Sequence, residues 1–116
     1  MKLVAIAATV AVAALLTVPA ALAKTPTLVG ATGPGFTITL KQGTKKVSKL
    51  KAGTYIFKIA DRSSIHNFHL KGPGIDKKTS VGKKQNVTWT LKLKKGKYTF
   101  VCDPHKTFMK GSFTVS

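Results

Sequence analysis

Apolar residues occupy every second position in a series of short runs along the chain. The runs are Phe36-Ile38-Leu40, Tyr55-Phe57-Ile59, Val87-Trp89-Leu91-Leu93, Tyr98-Phe100 and Phe113-Val115. Turns rich in glycine and lysine separate them, and no long stretch of the mature chain has helical periodicity. A period of two indicates strands that turn one face toward a core. The pattern predicts an all-β sandwich of two sheets with about six to eight strands, and a barrel of equal strands is the alternative.

The first 23 residues have the composition of an export signal. Lys2 supplies a positive start, residues 3–16 are apolar, and Pro19 precedes the small-residue sequence Ala21-Leu22-Ala23. We expect cleavage after Ala23, which would leave 24–116 as one domain in the periplasm or outside the cell. The apolar run is short for a membrane span, and an uncleaved anchor is the alternative. No later stretch is comparably apolar, so we expect no transmembrane helix in the mature protein.

The chain is strongly basic, with 20 lysines and arginines, 3 acidic residues and a formal charge of +17. Removal of Lys2 with the signal would lower this charge to +16. Such a surface attracts acidic proteins and the anionic envelope surface. Most of the lysines, however, are expected only to form the solvated outer surface of the sandwich. Nucleic acid is not an expected partner, because export separates the protein from the genome and no aromatic-basic motif accompanies the charge.

An enzyme is not expected from this composition. The chain contains no glutamate, and its three acidic residues are aspartates that are distant from one another in sequence. No Ser-His-Asp pattern and no phosphate-binding loop is present. Catalysis would therefore depend on a metal. The metal-binding side chains, however, indicate a site whose four protein ligands leave no open position for a substrate.

These residues cluster in the two short segments 65–70 and 102–109. The first segment holds two histidines, and the second holds the mature chain's only cysteine, its only methionine and its third histidine: His66, His69, Cys102, His105 and Met109. A lone cysteine cannot form a disulfide within the chain. A thiolate, two imidazoles and a thioether form the donor set that suits copper in electron-transfer sites. Zinc is the alternative ion, but structural zinc prefers several thiolates and catalytic zinc keeps an open position.

Strand parity indicates which histidine of the first segment faces the metal. His66 is in phase with Phe68 and Leu70, whereas His69 is in phase with the polar Asn67. His66 is therefore the expected inward-facing ligand. We expect His69 to form hydrogen bonds or to lie at the surface, and a role as a fifth ligand is the alternative.

The second segment begins at the end of a predicted strand. Cys102 is in phase with Phe100 and therefore points into the sandwich, where it can meet a histidine from the other segment. Pro104 then turns the chain and brings His105 and Met109 back toward the same metal. Plain packing is the alternative role of Met109, because methionine is an adaptable core residue.

With these motifs the chain resembles the blue copper proteins of the plastocyanin, pseudoazurin and amicyanin group. The likeness covers 53–115 and rests on a His-Asn pair followed by Tyr-Thr-Phe-Val-Cys-Asp-Pro-His-Lys-Thr-Phe-Met-Lys-Gly. It implies a cupredoxin-like Greek-key sandwich with one copper ion that alternates between Cu(I) and Cu(II). The implied strong ligands are His66, Cys102 and His105, and the implied weak axial ligand is Met109. The spacing from His105 to Met109 is one residue longer than in amicyanin and one shorter than in plastocyanin.

The resemblance also implies roles for residues around the ligands. Asn67 is similar to the family asparagine that pins the ligand loop by hydrogen bonds next to the cysteine. That neighbour is Asp103 here, where the family more often has serine or threonine. His105 is implied to be the partly exposed ligand through which electrons enter and leave, ringed by an apolar patch. The candidates for this patch are Pro104, Phe108, Gly72 and Pro73.

The function implied by this resemblance is that of an exported, monomeric one-electron carrier with a type 1 copper site. An acidic redox protein is the expected partner, and we expect it to dock near His105 and the lysines Lys71, Lys106 and Lys110. A protein that captures, stores or delivers copper is the alternative, because the ligand set alone does not separate storage from electron transfer.

Overall fold

Two five-stranded sheets form the described part of the chain. The computed structural model describes residues 24–116, together with Thr9 and Ala11. Apart from those two positions, the segment 1–23 that the sequence predicts to be a signal lies outside the described residues. In the part that is described, none of the helices is long and apolar enough to cross a membrane.

Residues 24–116 contain ten strands and one 3₁₀ helix. The strands are β1 (Thr27–Thr32), β2 (Ile38–Gln42), β3 (Lys45–Lys46), β4 (Lys49–Leu50), β5 (Gly53–Asp61), β6 (His69–Gly72), β7 (Ile75–Lys78), β8 (Gln85–Leu93), β9 (Gly96–Val101) and β10 (Lys110–Val115). The 3₁₀ helix, Asp103–His105, lies between β9 and β10. Since β3 and β4 have two residues each, eight strands are long enough to show an alternating pattern. That number agrees with the sequence-based prediction.

The strands of each sheet come from distant parts of the chain. The first sheet has the order β3-β2-β1-β5-β8, and the second has the order β4-β10-β9-β6-β7. The chain crosses between the sheets after β3, β4, β5, β7 and β8, as in a Greek-key sandwich. β1 is parallel to β5 and β4 is parallel to β10, whereas the other neighbours are antiparallel. The predicted all-β, two-sheet sandwich is confirmed.

The core between the sheets is rich in aromatic side chains. In β5, buried and exposed positions alternate, as the period of two predicts. Phe68 stacks on Phe100 with ring centroids 5.5 Å apart, and Tyr98 stacks on Phe113 at 5.1 Å. Stacked pairs of this kind contribute about 0.5–1.5 kcal/mol each beyond the burial of their surface. The second sheet therefore offers a rigid support for the residues at its ends.

The segment before β6 is irregular, although the alternation predicts a strand from Ile65 onward. Side-chain oxygens bind its backbone: Ser63 Oγ accepts from Ile65 N at 3.2 Å, and Thr79 Oγ1 accepts from Phe68 N at 2.8 Å. Such local bonds compete with a strand ladder, and β6 begins only at His69. Residues 66–68 are all buried, which a regular strand with one exposed face would not allow.

Candidate metal centre

The two predicted metal-binding segments meet at one end of the sandwich. β6 and β9 are antiparallel neighbours, with His69 opposite Val101. β6 begins and β9 ends at this pair, so the residues just before β6 and just after β9 lie side by side. The fold thereby brings together His66 and Cys102, which are 36 positions apart in the chain.

Three donor atoms converge at this end. The Nδ1 atoms of His66 and His105 are 3.1 Å apart, and Cys102 Sγ lies 3.6 Å from each of them. A point equidistant from the three atoms lies about 2.0 Å from each, which is the length of a metal–imidazole bond. Two imidazoles and one thiolate in a plane suit copper. The three side chains are therefore arranged as a copper site.

Burial is complete at this site except at one histidine. Cys102 and His66 are fully buried and Met109 is almost so, whereas His105 is half-buried. The Nε2 atom of His66 is buried and has no hydrogen-bond partner in residues 24–116. The Nδ1 atom of the same ring faces the other two donors. His66 therefore fits the role of a metal ligand better than that of a core histidine whose nitrogens are satisfied by hydrogen bonds.

Backbone hydrogen bonds close the ligand loop 102–109 on itself. Cys102 N donates to Met109 O at 3.0 Å, Met109 N donates to His105 O at 2.9 Å, and His105 N donates to Cys102 O at 3.0 Å. Pro104 lies inside the 3₁₀ helix at the turn, as the sequence predicts. The loop therefore returns to its start, and Met109 lies beside Cys102 with its side chain buried. The axial role of Met109 stays a prediction.

Asn67 and Asp103 join the two segments by a reciprocal pair of hydrogen bonds. Asp103 N donates to Asn67 Oδ1 at 2.7 Å, and Asn67 Nδ2 donates to Asp103 Oδ2 at 2.7 Å. Asn67 is 1% exposed, so water does not compete effectively for these bonds. The pinning contact that the resemblance implies is present, with a carboxylate in place of a hydroxyl group.

Known proteins share this arrangement of strands. A family model described as a cupredoxin-like domain matches residues 5–115 of the chain. The chain belongs to the cupredoxin-like family.

Solved structures of rusticyanin are similar to this cupredoxin. A methionine-to-glutamine variant of rusticyanin is 25% identical with a TM-score of 0.59, and the match covers 81% of this chain and 79% of that one. Reduced rusticyanin is 22% identical with a TM-score of 0.57, covering 81% of each chain. Rusticyanin from Thiobacillus ferrooxidans is 24% identical with a TM-score of 0.55, covering 81% and 79%. No curated protein matches significantly. The predicted resemblance to blue copper proteins is confirmed.

Two carboxylates bind the third histidine of this cupredoxin. His69 is 7% exposed, and its Nδ1 atom lies 2.8 and 3.0 Å from the two carboxylate oxygens of Asp103. Its Nε2 atom lies 2.6 Å from Asp76 Oδ1. The expectation that His69 forms hydrogen bonds is confirmed. Its partners come from the ligand loop and from β7. The alternation of side chains within one segment could not identify these partners, because they lie elsewhere in the chain.

These bonds shift the pKa of both carboxyl groups. The pKa of Asp76 lies below its ordinary value, mainly because of the hydrogen bond with His69. Partial burial acts to raise the pKa of Asp103, but its hydrogen bonds with His69 and Asn67 together outweigh burial and leave the pKa below its ordinary value. Both groups are therefore carboxylates at neutral pH, and His69 faces a negative charge at each nitrogen.

The third acidic residue, Asp61, lies at the same end and is 2% exposed. Burial raises its pKa, although hydrogen bonds from Thr79 and Ser63 act in the opposite direction. Thr79 Oγ1 donates to Asp61 Oδ2 at 2.9 Å, and Thr79 O accepts a long 3.4 Å bond from Asn67 Nδ2. Thr79 therefore supports the site, and sequence reasoning missed it because an isolated threonine in a polar loop carries no pattern.

Two exposed aromatic rings form a rim around the half-buried ligand. Phe36 is 60% exposed and its ring centroid lies 5.1 Å from that of His105, while Phe108 is 59% exposed and lies 5.6 Å away. Phe108 was an expected member of the apolar patch. Phe36 was not, because the alternation assigns it to the strand that in fact begins at Ile38. Pro104 is exposed next to His105, as expected for the patch.

The prediction that Gly72 and Pro73 belong to this patch is wrong. Gly72 is the last residue of β6, which runs away from the metal end. A Cβ atom on Gly96 would lie 2.6 Å from Pro73 Cγ, and Gly96 begins β9 at the end opposite Val101. Four extended residues carry the chain about 10 Å, so the turn after β6 lies at the far end of the sandwich.

Proposed function

We propose that this cupredoxin is an exported one-electron carrier with a type 1 copper site. The observation that carries the proposal is the convergence of one thiolate and two imidazoles on a single buried point. This donor set, with a weak axial thioether, is typical of blue copper electron-transfer sites. The similarity to rusticyanin, which is described as a copper protein, supports the same assignment.

Four side chains would hold the ion: His66, Cys102 and His105 as strong ligands and Met109 as the weak axial ligand. Bound there, copper would supply a couple between Cu(I) and Cu(II) that exchanges one electron. The chain contributes rigid support, because the Asn67 bonds and the backbone bonds of the loop fix the donors. Four protein donors would leave no open position for a substrate, so the site favours electron transfer over catalysis.

Burial of the donors favours a carrier over a copper store. A store must pass its metal to another protein, which requires ligands that an acceptor can reach. Cys102 and His66 are fully buried, and only the ring of His105 is half-exposed among the three. A carrier should pass through many cycles of reduction and oxidation with its copper retained. Transfer of the metal to a chelator on the time scale of those cycles would support the store.

The half-buried edge of His105 is the proposed place of electron entry and exit. Phe36 and Phe108 supply exposed apolar surface around it. Lys106, within the ligand loop, and Lys110, which begins β10 opposite Val101, are exposed beside it. An apolar contact flanked by lysines suits an acidic redox protein, because charge speeds the encounter and apolar contact stabilises the complex.

Lys71 contributes less to this docking surface than the sequence suggests. It lies on β6 opposite Asp76, on the outer face of the second sheet. The bimolecular rate of electron transfer to an acidic partner should fall as ionic strength rises, and Lys106→Gln should lower it more than Lys71→Gln does. A rate that is insensitive to salt would contradict docking by charge.

Export is proposed from segment 1–23, with processing after Ala23. Mass spectrometry of the protein recovered from the periplasm or the medium should give a chain that begins at Lys24. Recovery of the full chain from membranes would support an uncleaved anchor. The same fractions show whether the basic protein remains bound to anionic envelope polymers until salt releases it.

Titration of the metal-free protein, residues 24–116, with Cu(II) tests the metal site. We expect saturation at one equivalent and intense visible absorption that arises from the copper–thiolate bond. Cys102→Ser is the matched control, because it keeps the volume of the side chain and removes the sulfur. A colourless wild-type product would contradict a type 1 site.

A further inference from the structure

A hydrogen-bonded path leads from the edge of the second sheet to the ligand loop. Asp76 on β7 binds Nε2 of His69, and Nδ1 of His69 binds Asp103. Asp103 follows Cys102 directly and begins the 3₁₀ helix that ends at His105. The path therefore reaches the backbone that carries two of the three converging donors.

Both ring nitrogens of His69 face carboxylate oxygens, at 2.6 Å on one side and at 2.8 and 3.0 Å on the other. Ionised carboxylates only accept hydrogen bonds, and a neutral imidazole has a single N–H to donate. Both contacts are satisfied when both nitrogens carry hydrogen, which is the imidazolium form. Hydrogen bonds between two charged groups are roughly twice as strong as neutral ones.

We propose that His69 is a positioning residue of the metal site, whose imidazolium clamps Asp103 to β7 and thereby fixes Cys102 and His105. Asn67 holds Asp103 from the other side. Without His69, the ligand loop keeps its bonds to the irregular 66–68 segment and its attachment to β9 and β10, but it loses its side-chain link to β7. The effect on the loaded site rests on the proposed function, whereas the clamp itself is a property of the metal-free chain.

The clamp also offsets part of the negative charge next to Cys102. Asp76 and Asp103 carry two negative charges, and the proposed imidazolium would place one positive charge between them. Removing the positive charge favours the higher oxidation state of a nearby metal and lowers the reduction potential. Removing the carboxylate of Asp76 has the opposite effect. A residue with only a packing role would not produce shifts of opposite sign.

His69→Gln and Asp76→Ala break the clamp from its two ends. Asp76 has a side chain that is 68% exposed, so its replacement leaves the core intact even if the variant at His69 does not fold. Lys71→Gln is the matched control, because it removes a positive charge opposite Asp76 at an exposed position but leaves the three side chains of the clamp in place.

The first readout is hydrogen exchange of the Asp103 amide in the metal-free protein, since that N–H is bound by Asn67 Oδ1. Both clamp variants should exchange it at least about tenfold faster, because the loop around the amide opens more easily once a charged hydrogen bond of the clamp is lost. The control and the β8 amides should keep their wild-type rates. The second readout is the reduction potential of the copper-loaded proteins, which should fall for His69→Gln, rise for Asp76→Ala, and change least for Lys71→Gln.

Wild-type exchange at Asp103 in both variants would overturn the clamp, whether or not copper binds. Potentials that move in the same direction for the two variants would overturn the charged form of His69. A wild-type protein that binds no copper would refute the proposed function, and the exchange experiment would still decide whether the clamp exists.

Discussion

Asn67→Ala removes the hydrogen bonds that tie the segment before β6 to the ligand loop. Asn67 is 1% exposed and forms two 2.7 Å bonds with Asp103, one from a backbone N–H and one to a carboxylate. The first is worth about 1 kcal/mol and the second, with a charged acceptor, about 2 kcal/mol. The 3.4 Å bond to Thr79 O is long and adds little. We expect the free energy of unfolding of the metal-free protein to fall by about 3 kcal/mol.

Urea unfolding followed by tryptophan fluorescence measures this loss. Trp89 is the only tryptophan, and its ring lies 6.5 Å from that of the buried Phe68, so its emission reports on the core. With a dependence on urea of about 1.5 kcal/mol per M, the midpoint should fall by about 2 M.

Asn86→Ala is the matched control, because Asn86 is an exposed asparagine on β8 whose backbone pairs with Ala60. Its free energy of unfolding should stay within about 0.5 kcal/mol of wild type. The reasoning would be refuted if Asn67→Ala were as stable as this control, because the loop would then be held without the Asn67 bonds.

Three further changes test other parts of the molecule. Gly72→Ala places a Cβ 2.0 Å from Tyr98 Cδ1 and should lower the free energy of unfolding, measured in urea, by about 2–3 kcal/mol. Gly35→Ala, whose Cβ would have no atom within 4 Å, should be nearly neutral. Equal stability of the two variants would contradict the close contact between Gly72 and Tyr98. Phe36→Ala should lower stability by less than about 1 kcal/mol because the ring is exposed, yet it should speed copper loss to a chelator, and unchanged loss would argue against a shielding rim. The pKa of Asp76 is lowered in the folded protein, so its interaction is fully present above about pH 4 and is lost as pH falls through the folded pKa. The urea midpoint of wild type should therefore fall more between pH 4 and about pH 2 than that of Asp76→Ala, and parallel curves would contradict the shift.

Regular strands explain what could be predicted from the sequence. β9 keeps its alternation up to Val101, so the inward direction of Cys102 follows from the buried Tyr98 and Phe100, which lie four and two residues earlier. The clustering of the donor residues then limits the chemistry, since a thiolate, imidazoles and a thioether leave few ions to consider. The fold class and the converging set of donors were predictable for these two reasons.

Other features depend on pairings between distant strands, which no local pattern contains. His66 was expected to face inward as part of a strand, and it does so although residues 66–68 are irregular, because Thr79 binds the backbone there. Phe36 leaves its expected strand to cover the ligand rings. Gly72 and Pro73 were placed at the wrong end because the direction of β6 relative to β9 is set only by their register.

X-ray absorption at the copper edge of the loaded protein tests most directly whether Cys102, His66 and His105 share one ion. The account predicts two nitrogen atoms at about 2.0 Å and one sulfur at a similar or slightly longer distance. The sulfur should disappear from the spectrum of Cys102→Ser while nitrogen remains. A wild-type spectrum with nitrogen and oxygen alone around copper would contradict the account.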